Sequence, residues 1–168
     1  WLRKPLTDKQ SIIKRHDVVE TFFTHRQQRQ KLRDISTEVS DVERLLSRLS
    51  VGLGNGRDVV NLKSSLQTIL TLKKELEIVN APLLKELAKE IHTSAIKNLI
   101  QTIENNIVPE PPISIREGGM IQDGIDKELD RLRNIVNGSR DWILDLEKQE
   151  RASTGITSLK VRYNKVFG

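Results

Sequence analysis

The sequence predicts an all-α fold: a multi-helix bundle with a long projecting helix, ending in a short β-strand. Apolar residues recur at steps of three and four over most of the 168 residues, as they do on the buried face of a helix. Aromatic residues make up only 4% of the chain, although strands are usually rich in them. Leu, Ile, Lys and Glu are abundant instead, a composition that favours helices.

Residues 1–106 are predicted to form a helical core bundle. The first helix begins at a capping box, Thr7 to Gln10, and a second helix covers about residues 26–36. The apolar face of the first helix is predicted to carry four residues: Ile12, His16, Val19 and Phe23. Phe22 and Phe23 are both assigned to the core by their helical spacing.

The next helices of the bundle are delimited by caps and breakers. Ser40 to Glu43 forms a second capping box, and the helix after it is predicted to direct four residues inward: Val42, Leu45, Leu46 and Leu49. Asn55 caps a long helix with seven apolar positions: Val59, Leu62, Leu66, Ile69, Leu72, Leu76 and Val79. Pro82 breaks that helix, and two shorter helices follow near residues 83–91 and 94–106.

A Pro- and Gly-rich connector, residues 107–123, precedes the longest predicted helix, residues 124–154. The apolar positions of this helix alternate in steps of four and three and form a seam: Ile125, Leu129, Leu132, Val136, Ser139, Ile143 and Leu146. Thirty residues at about 1.5 Å each would reach on the order of 45 Å. The helix is therefore expected to project from the bundle and to carry something at its tip.

Residues 155–168 are predicted to supply a β-strand at that tip. Apolar Leu159, Val161 and Tyr163 alternate with polar side chains, and a period of two is typical of a strand. An isolated strand cannot satisfy its own backbone groups, so its partner is expected beyond residue 168. The sequence is accordingly interpreted as a segment of a longer protein.

The net charge of +5 is unevenly distributed. Residues 1–33 hold nine basic and three acidic residues, a net of +6, and residues 150–168 hold four basic residues and Glu150, a net of +3. The stretch between them therefore sums to −4. The two basic ends could bind a polyanion, or they could be solvated surface with chance clustering.

The sequence predicts no catalytic, metal-binding or nucleotide-binding residues, and no cofactor. The chain has no cysteine, which excludes thiolate nucleophiles and cysteine zinc sites. Gly119 to Gly124 has the glycine spacing of a phosphate loop, but the lysine and hydroxyl residue that should follow are missing. No apolar run is long enough to span a membrane, so the protein is expected to be soluble and intracellular.

Four stretches together resemble the core region of the MutS family of DNA mismatch-repair proteins. They are, in order, Trp1–Asp8 with Ile13–Phe23, Asp41–Leu49, Ile115–Gly124 with Glu128–Asp130, and Glu150–Gly155 with Leu159–Asn164. The resemblance implies the helical core and lever region, with the start of the DNA clamp at residues 155–168. Arg162 stands where a small residue, often glycine, is expected.

The resemblance also implies what the parent protein does. This segment would be a structural link between an ATPase domain and the clamp, without catalytic activity of its own, whereas the parent would be a DNA-dependent ATPase that uses ATP and Mg²⁺. The implied partners are mismatch-containing double-stranded DNA, a second subunit in a homodimer or heterodimer, and a downstream mismatch-repair protein. The parent would be cytoplasmic in a bacterium and nuclear in a eukaryote.

Four residues at the end of the chain are the predicted DNA-backbone contacts: Lys160, Arg162, Asn164 and Lys165. The first three share one face of the strand, because alternate residues point to the same side. Contacts to phosphates are independent of sequence, as a clamp on any duplex requires. The alternative for these four residues is a solvated edge strand whose lysines discourage aggregation. The alternative for the whole chain is a freestanding helical protein–protein interaction module.

Overall fold

A computed structural model of the chain describes residues 3–161, without the side chain of Arg140. These residues form seven α-helices: α1 (Lys9–Thr24), α2 (Arg26–Thr37), α3 (Val42–Ser50), α4 (Gly56–Ile78), α5 (Pro82–Glu90), α6 (Thr93–Asn106) and α7 (Lys127–Thr154). One short 3-10 helix covers Ile115–Glu117. The only β pairing within residues 3–161 is an antiparallel bridge between Ile107 and Ile121. The all-α prediction is confirmed.

The helix starts follow the predicted capping signals, with a shift of one residue in two of them. Helix α1 is capped by Asp8 rather than by Thr7, and α3 is capped by Asp41 rather than by Ser40. Aspartate combines a strong acceptor with a negative charge, which the positive end of the helix dipole favours. The predicted cap of α4 is confirmed, because the Asn55 side chain accepts from the Asp58 N–H at 3.0 Å and the Asp58 carboxylate accepts from the Asn55 N–H at 3.1 Å.

The cap of α1 has a pH dependence. The Ser11 backbone N–H donates to Asp8 Oδ2 at 2.8 Å, and this hydrogen bond lowers the pKa of Asp8 below its ordinary value. A carboxylate with a lowered pKa in the folded state stabilises that state fully above its ordinary pKa. The contribution of this cap is therefore lost as the pH falls through the lowered value.

The core consists of two clusters of buried residues, both built on α4. The first cluster joins α1, α2 and α5 to the C-terminal half of α4; its buried members are Leu32, Val79, Ala81 and Leu84, and Val18, Phe22, Leu72 and Leu76 pack against them. The second joins α3 and α6 to α4; its buried members are Leu45, Leu62, Leu66 and Ile100. Helix α4 thus holds the bundle together by contacting four other helices.

The predicted inward faces of α1 and α3 were partly wrong. On α1, Phe22 packs against the first cluster, whereas Phe23 is 80% exposed. Val19 and His16 are exposed as well, because the buried face follows Val18 and Phe22, one residue or about 100° away from the predicted one. On α3, Leu45 takes the core position and Leu46 is 47% exposed.

Residues 107–122 are tied to α4 and α6. Next to the Ile107–Ile121 bridge, the Val108 N–H donates to the Met120 carbonyl at 2.9 Å, and the Gln122 N–H donates to the Asn106 carbonyl at 2.9 Å. On α4, Arg57 Nε donates to the Pro111 carbonyl at 3.2 Å. The first of two compact units accordingly ends at Gln122, and the second begins at Asp123.

The second unit consists mainly of α7, whose apolar seam is not buried in the described residues. Helix α7 runs without interruption for 28 residues, including Gly138, and none of its described side chains is buried. Leu129, Ile143 and Leu146 are half-buried, while Leu132 is 48% exposed and Val136 is exposed further. The predicted seam therefore lacks the packing that would bury it within this part of the chain.

Candidate nucleic-acid interface

The C-terminal end of α7 leads into the predicted DNA contacts. Lys160 is exposed. Arg162, Asn164 and Lys165 lie outside the described residues, as does most of the predicted strand. Their roles stay predictions, and the described geometry concerns how residues 155–161 present this segment.

A left-handed glycine ends α7 and reverses the chain. Gly155 has φ 70° and ψ 5°, and its N–H donates to the Arg151 carbonyl at 3.0 Å. This conformation favours glycine because a side chain would strain it, and it is a common helix C-cap. The chain that follows can therefore leave the helix axis directly after Thr154.

An ion pair on the last turns of α7 holds the returning segment. Arg151 Nη2 lies 2.6 Å from Glu147 Oε1, and Arg151 Nε donates to the Leu159 carbonyl at 2.7 Å. The other oxygen of Glu147 accepts the Val161 N–H at 3.0 Å. The two side chains thus bind one carbonyl and one N–H of the returning chain, and residues 159–161 run back along α7.

This arrangement fixes which side chains of the returning segment face outward. Leu159 and Val161 are half-buried, and Lys160 between them is exposed. The exposure of these three residues follows the predicted period of two. Among residues 3–161, no carboxylate lies within salt-bridge distance of Lys160, so its ammonium group is available to an anion.

Sequence reasoning missed the role of Glu147 and Arg151. Arg151 counts in the sequence only as one of four basic residues at this end of the chain, whereas the structure pairs its guanidinium with Glu147. The available signal was an i, i+4 Glu–Arg pair close before the glycine that ends the helix, a spacing that brings the two side chains together. The contact with Leu159 and Val161 depends on the turn between them and has no local sequence signal.

Replacing Glu147 with alanine is expected to release the returning segment. The Val161 N–H loses a charged acceptor, and hydrogen bonds to charged groups contribute about 1.5–3 kcal/mol. The hydrogen-exchange rate of the Val161 amide, measured by NMR, should therefore rise by roughly tenfold or more. Glu150→Ala, an exposed glutamate three residues further along α7, is the matched control; equal exchange rates in the two variants would contradict the described contact.

The glycine-rich stretch before α7 carries no phosphate-loop geometry. The Gly124 N–H, which a phosphate loop would direct at its ligand, donates to Asp130 Oδ2 at 2.9 Å. Asp123, which precedes α7, pairs with Arg133 of the helix at 2.7 Å. Within residues 3–161, no three His, Asp or Glu side chains are placed to hold a metal ion, and no helix is long and apolar enough to cross a membrane.

Comparison with known proteins gives a consistent family match. The family model described as MutS domain III matches residues 1–161. The chain is 42% identical over 168 residues to the DNA mismatch repair protein MutS of Geobacillus kaustophilus, covering 100% of this chain and 18% of that protein. It is 44% identical over 170 residues to the protein of the same name from Methanosarcina mazei, covering 100% of this chain and 19% of the relative. The chain thus spans less than a fifth of the length of these curated relatives.

Proposed function

Because the chain belongs to the MutS domain III family, we propose that it forms the structural core and lever of a DNA mismatch-repair protein. In this proposal it links an ATPase domain to a DNA clamp and contributes contacts to the DNA backbone at its C-terminal end. The observation that carries the DNA contact is the returning segment after α7, which the Glu147–Arg151 pair anchors while Lys160 faces outward. The proposed cations are Lys160, Arg162 and Lys165, with Asn164 as an additional donor.

The lever role is supported by the length and continuity of α7. Its 28 residues correspond to about 42 Å at 1.5 Å per residue. A continuous helix can carry a displacement from one end to the other when each end is attached to a two-state element. The exposed half of its seam, including Leu132 and Val136, offers an apolar surface to a helix from the remaining four-fifths of a full-length protein.

The partners of the full-length protein belong to the same proposal. They are mismatch-containing double-stranded DNA, a second copy or related subunit, and a downstream mismatch-repair protein, with ATP and Mg²⁺ bound outside this segment. The cellular location would be intracellular. The family relation supports these assignments, since the relatives carry the name DNA mismatch repair protein.

The DNA contact is tested by neutralising the three cations together. In the full-length protein, Lys160→Gln, Arg162→Gln and Lys165→Gln should weaken binding to matched and mismatched duplexes by similar factors, because phosphate contacts do not depend on sequence. The control replaces three exposed lysines elsewhere, Lys89, Lys97 and Lys127, with glutamine. Unchanged affinity would assign the segment to a solvated edge, and a loss confined to the mismatched duplex would mean that these residues read the lesion.

The 168-residue chain itself is expected to bind no ATP. The glycine stretch at 119–124 lacks the phosphate-loop lysine, and the Gly124 N–H is occupied by Asp130. Isothermal titration with Mg–ATP should show no saturable heat, with the full-length protein as the positive control. Saturable binding at micromolar concentration would contradict the assignment of nucleotide binding to the rest of the protein.

The alternative of a protein–protein interaction module is favoured by one observation. A groove of 670 Å³ lies beside α1, with Leu6, Ile12 and Val19 among its lining residues. A freestanding module would need such an exposed apolar surface. The same groove is compatible with the core role, because the curated relatives have more than four-fifths of their length outside this segment.

A further inference from the structure

Three arginines of α2 lie on one face of the helix. Arg26, Arg29 and Arg33 are spaced i, i+3 and i+7, which places them within a narrow arc of the helix surface. In the part of the chain that the structure describes, none of the three is within salt-bridge distance of a carboxylate. Lys31, on a different face of α2, is by contrast paired with Glu75 at 2.9 Å.

One of these arginines is already fixed in position. Arg29 Nη1 donates to the Phe22 carbonyl at 2.7 Å, and the contact is partly buried. A guanidinium has five N–H donors, so the remaining donors stay available for an anion. Because the side chain is ordered before a ligand arrives, binding to it loses less conformational entropy than binding to a free arginine.

A groove with an apolar floor opens beside the arginines. Its volume is 390 Å³, and it is lined by Phe22, Arg29, Leu32, Arg33, Ser36 and Thr37. Leu32 and Phe22 belong to the first core cluster, which makes the floor part of the packed interior. The hydroxyls of Ser36 and Thr37 donate to carbonyls of α2 itself, at 2.6 Å each. The groove thus combines the apolar surface of Phe22 and Leu32 with the guanidinium groups of Arg29 and Arg33.

We propose that this arginine groove binds an acidic peptide segment that carries one apolar side chain. Aspartate and glutamate carboxylates match the fork of a guanidinium and bind it through two hydrogen bonds, and the apolar side chain would cover Phe22 and Leu32. The backbone of duplex DNA has the required charge, but its deoxyribose groups lie between the phosphates and cannot project into the groove as an aliphatic side chain can. The proposed ligand lies outside the lever-and-clamp function, because the groove belongs to the first compact unit and the DNA contacts to the end of the second.

The proposal is tested by fluorescence anisotropy of the 168-residue chain with a labelled peptide of sequence Asp-Glu-Asp-Leu-Asp-Glu. Arg26→Gln with Arg33→Gln should weaken binding by about tenfold, an effect of about 1.4 kcal/mol. Replacing the leucine of the peptide with serine should weaken binding to the unchanged protein. The matched control, Arg44→Gln with Arg116→Gln, removes two exposed arginines elsewhere and should leave the affinity unchanged. Both pairs lie on the surface, and the melting temperature of each variant reports whether it is folded.

Three results would overturn the proposal. The first is the absence of saturable peptide binding at concentrations up to about 1 mM. A Kd of about 1 mM corresponds to a binding free energy of about −4.1 kcal/mol. The second is an equal loss of affinity in the two pairs of arginine variants, which would show non-specific attraction. The third is efficient displacement of the peptide by a short DNA duplex whose own binding is weakened by Arg26→Gln with Arg33→Gln, which would identify a nucleic-acid surface. None of these results depends on the cations at the C-terminal end, so the proposed function is tested separately.

Discussion

Replacing Leu45 with alanine is expected to lower the free energy of unfolding by about 2–5 kcal/mol. Leu45 is only 3% exposed and packs with Leu62, Leu66 and Ile100 in the second core cluster. The substitution removes buried methyl groups and leaves a cavity where α3 and α6 meet α4, which the surrounding helices can close only in part. Urea denaturation followed by circular dichroism measures the loss.

Leu132→Ala is the matched comparison on α7. Leu132 is 48% exposed, so the same change removes less buried surface and should lower the free energy of unfolding by less than about 1 kcal/mol. The spacing of apolar residues along α7 predicts a seam that includes Leu132, and full burial there would give a loss as large as that of Leu45. Similar losses for the two variants would show that the seam is packed in solution, contrary to the exposure described here.

The second large effect is expected at Gly56, the first residue of α4. A Cβ atom at this position would lie 2.6 Å from Pro111 Cβ and 3.0 Å from Pro111 Cγ. The proline ring is rigid, and its carbonyl is held by Arg57, so residues 107–122 and the start of α4 would have to separate. Gly56→Ala should therefore destabilise the chain by about 1–3 kcal/mol, as overpacking does in other interiors, and lower its melting temperature.

Gly138 provides the control for that substitution. It lies inside α7, where a Cβ atom would meet nothing within 4 Å apart from its chain neighbours and the backbone of its own helix. Alanine there should stabilise the helix by about 1 kcal/mol, because glycine has a lower helix propensity. Opposite signs for the two glycine-to-alanine changes would support the contact with Pro111. A destabilisation of equal size at both positions would show that close packing at Gly56 is not the cause.

The helices themselves were predictable because their signals are local. The cap at Asn55 and the proline at the start of α5 each fix a boundary through their immediate neighbours. The inward face of α1 was not fixed in this way, since Phe22 and Phe23 are adjacent and both fit a helical repeat. The choice depends on which of them meets α2 and the end of α4, and that is a tertiary contact.

The candidate site was predictable in its charges and in the alternating exposure of residues 159–161, but not in how the segment is anchored. The basic residues near the end of the chain are visible in the sequence, and Lys160 has the predicted exposure. The anchoring of the segment was not visible, because it requires Gly155 to reverse the chain before Arg151 and Glu147 can reach Leu159 and Val161. The docking of Pro111 against Gly56 likewise joins residues that are far apart in sequence.

The salt dependence of DNA binding tests the proposed backbone contacts most directly. For the full-length protein, log K should fall linearly with log salt concentration, and each phosphate contact contributes about −0.9 to the slope. Neutralising Lys160, Arg162 and Lys165 together should make the slope shallower by about 2.7 on both matched and mismatched duplexes. An unchanged slope would show that these three cations do not contact DNA phosphates and would contradict the proposed role of the C-terminal segment.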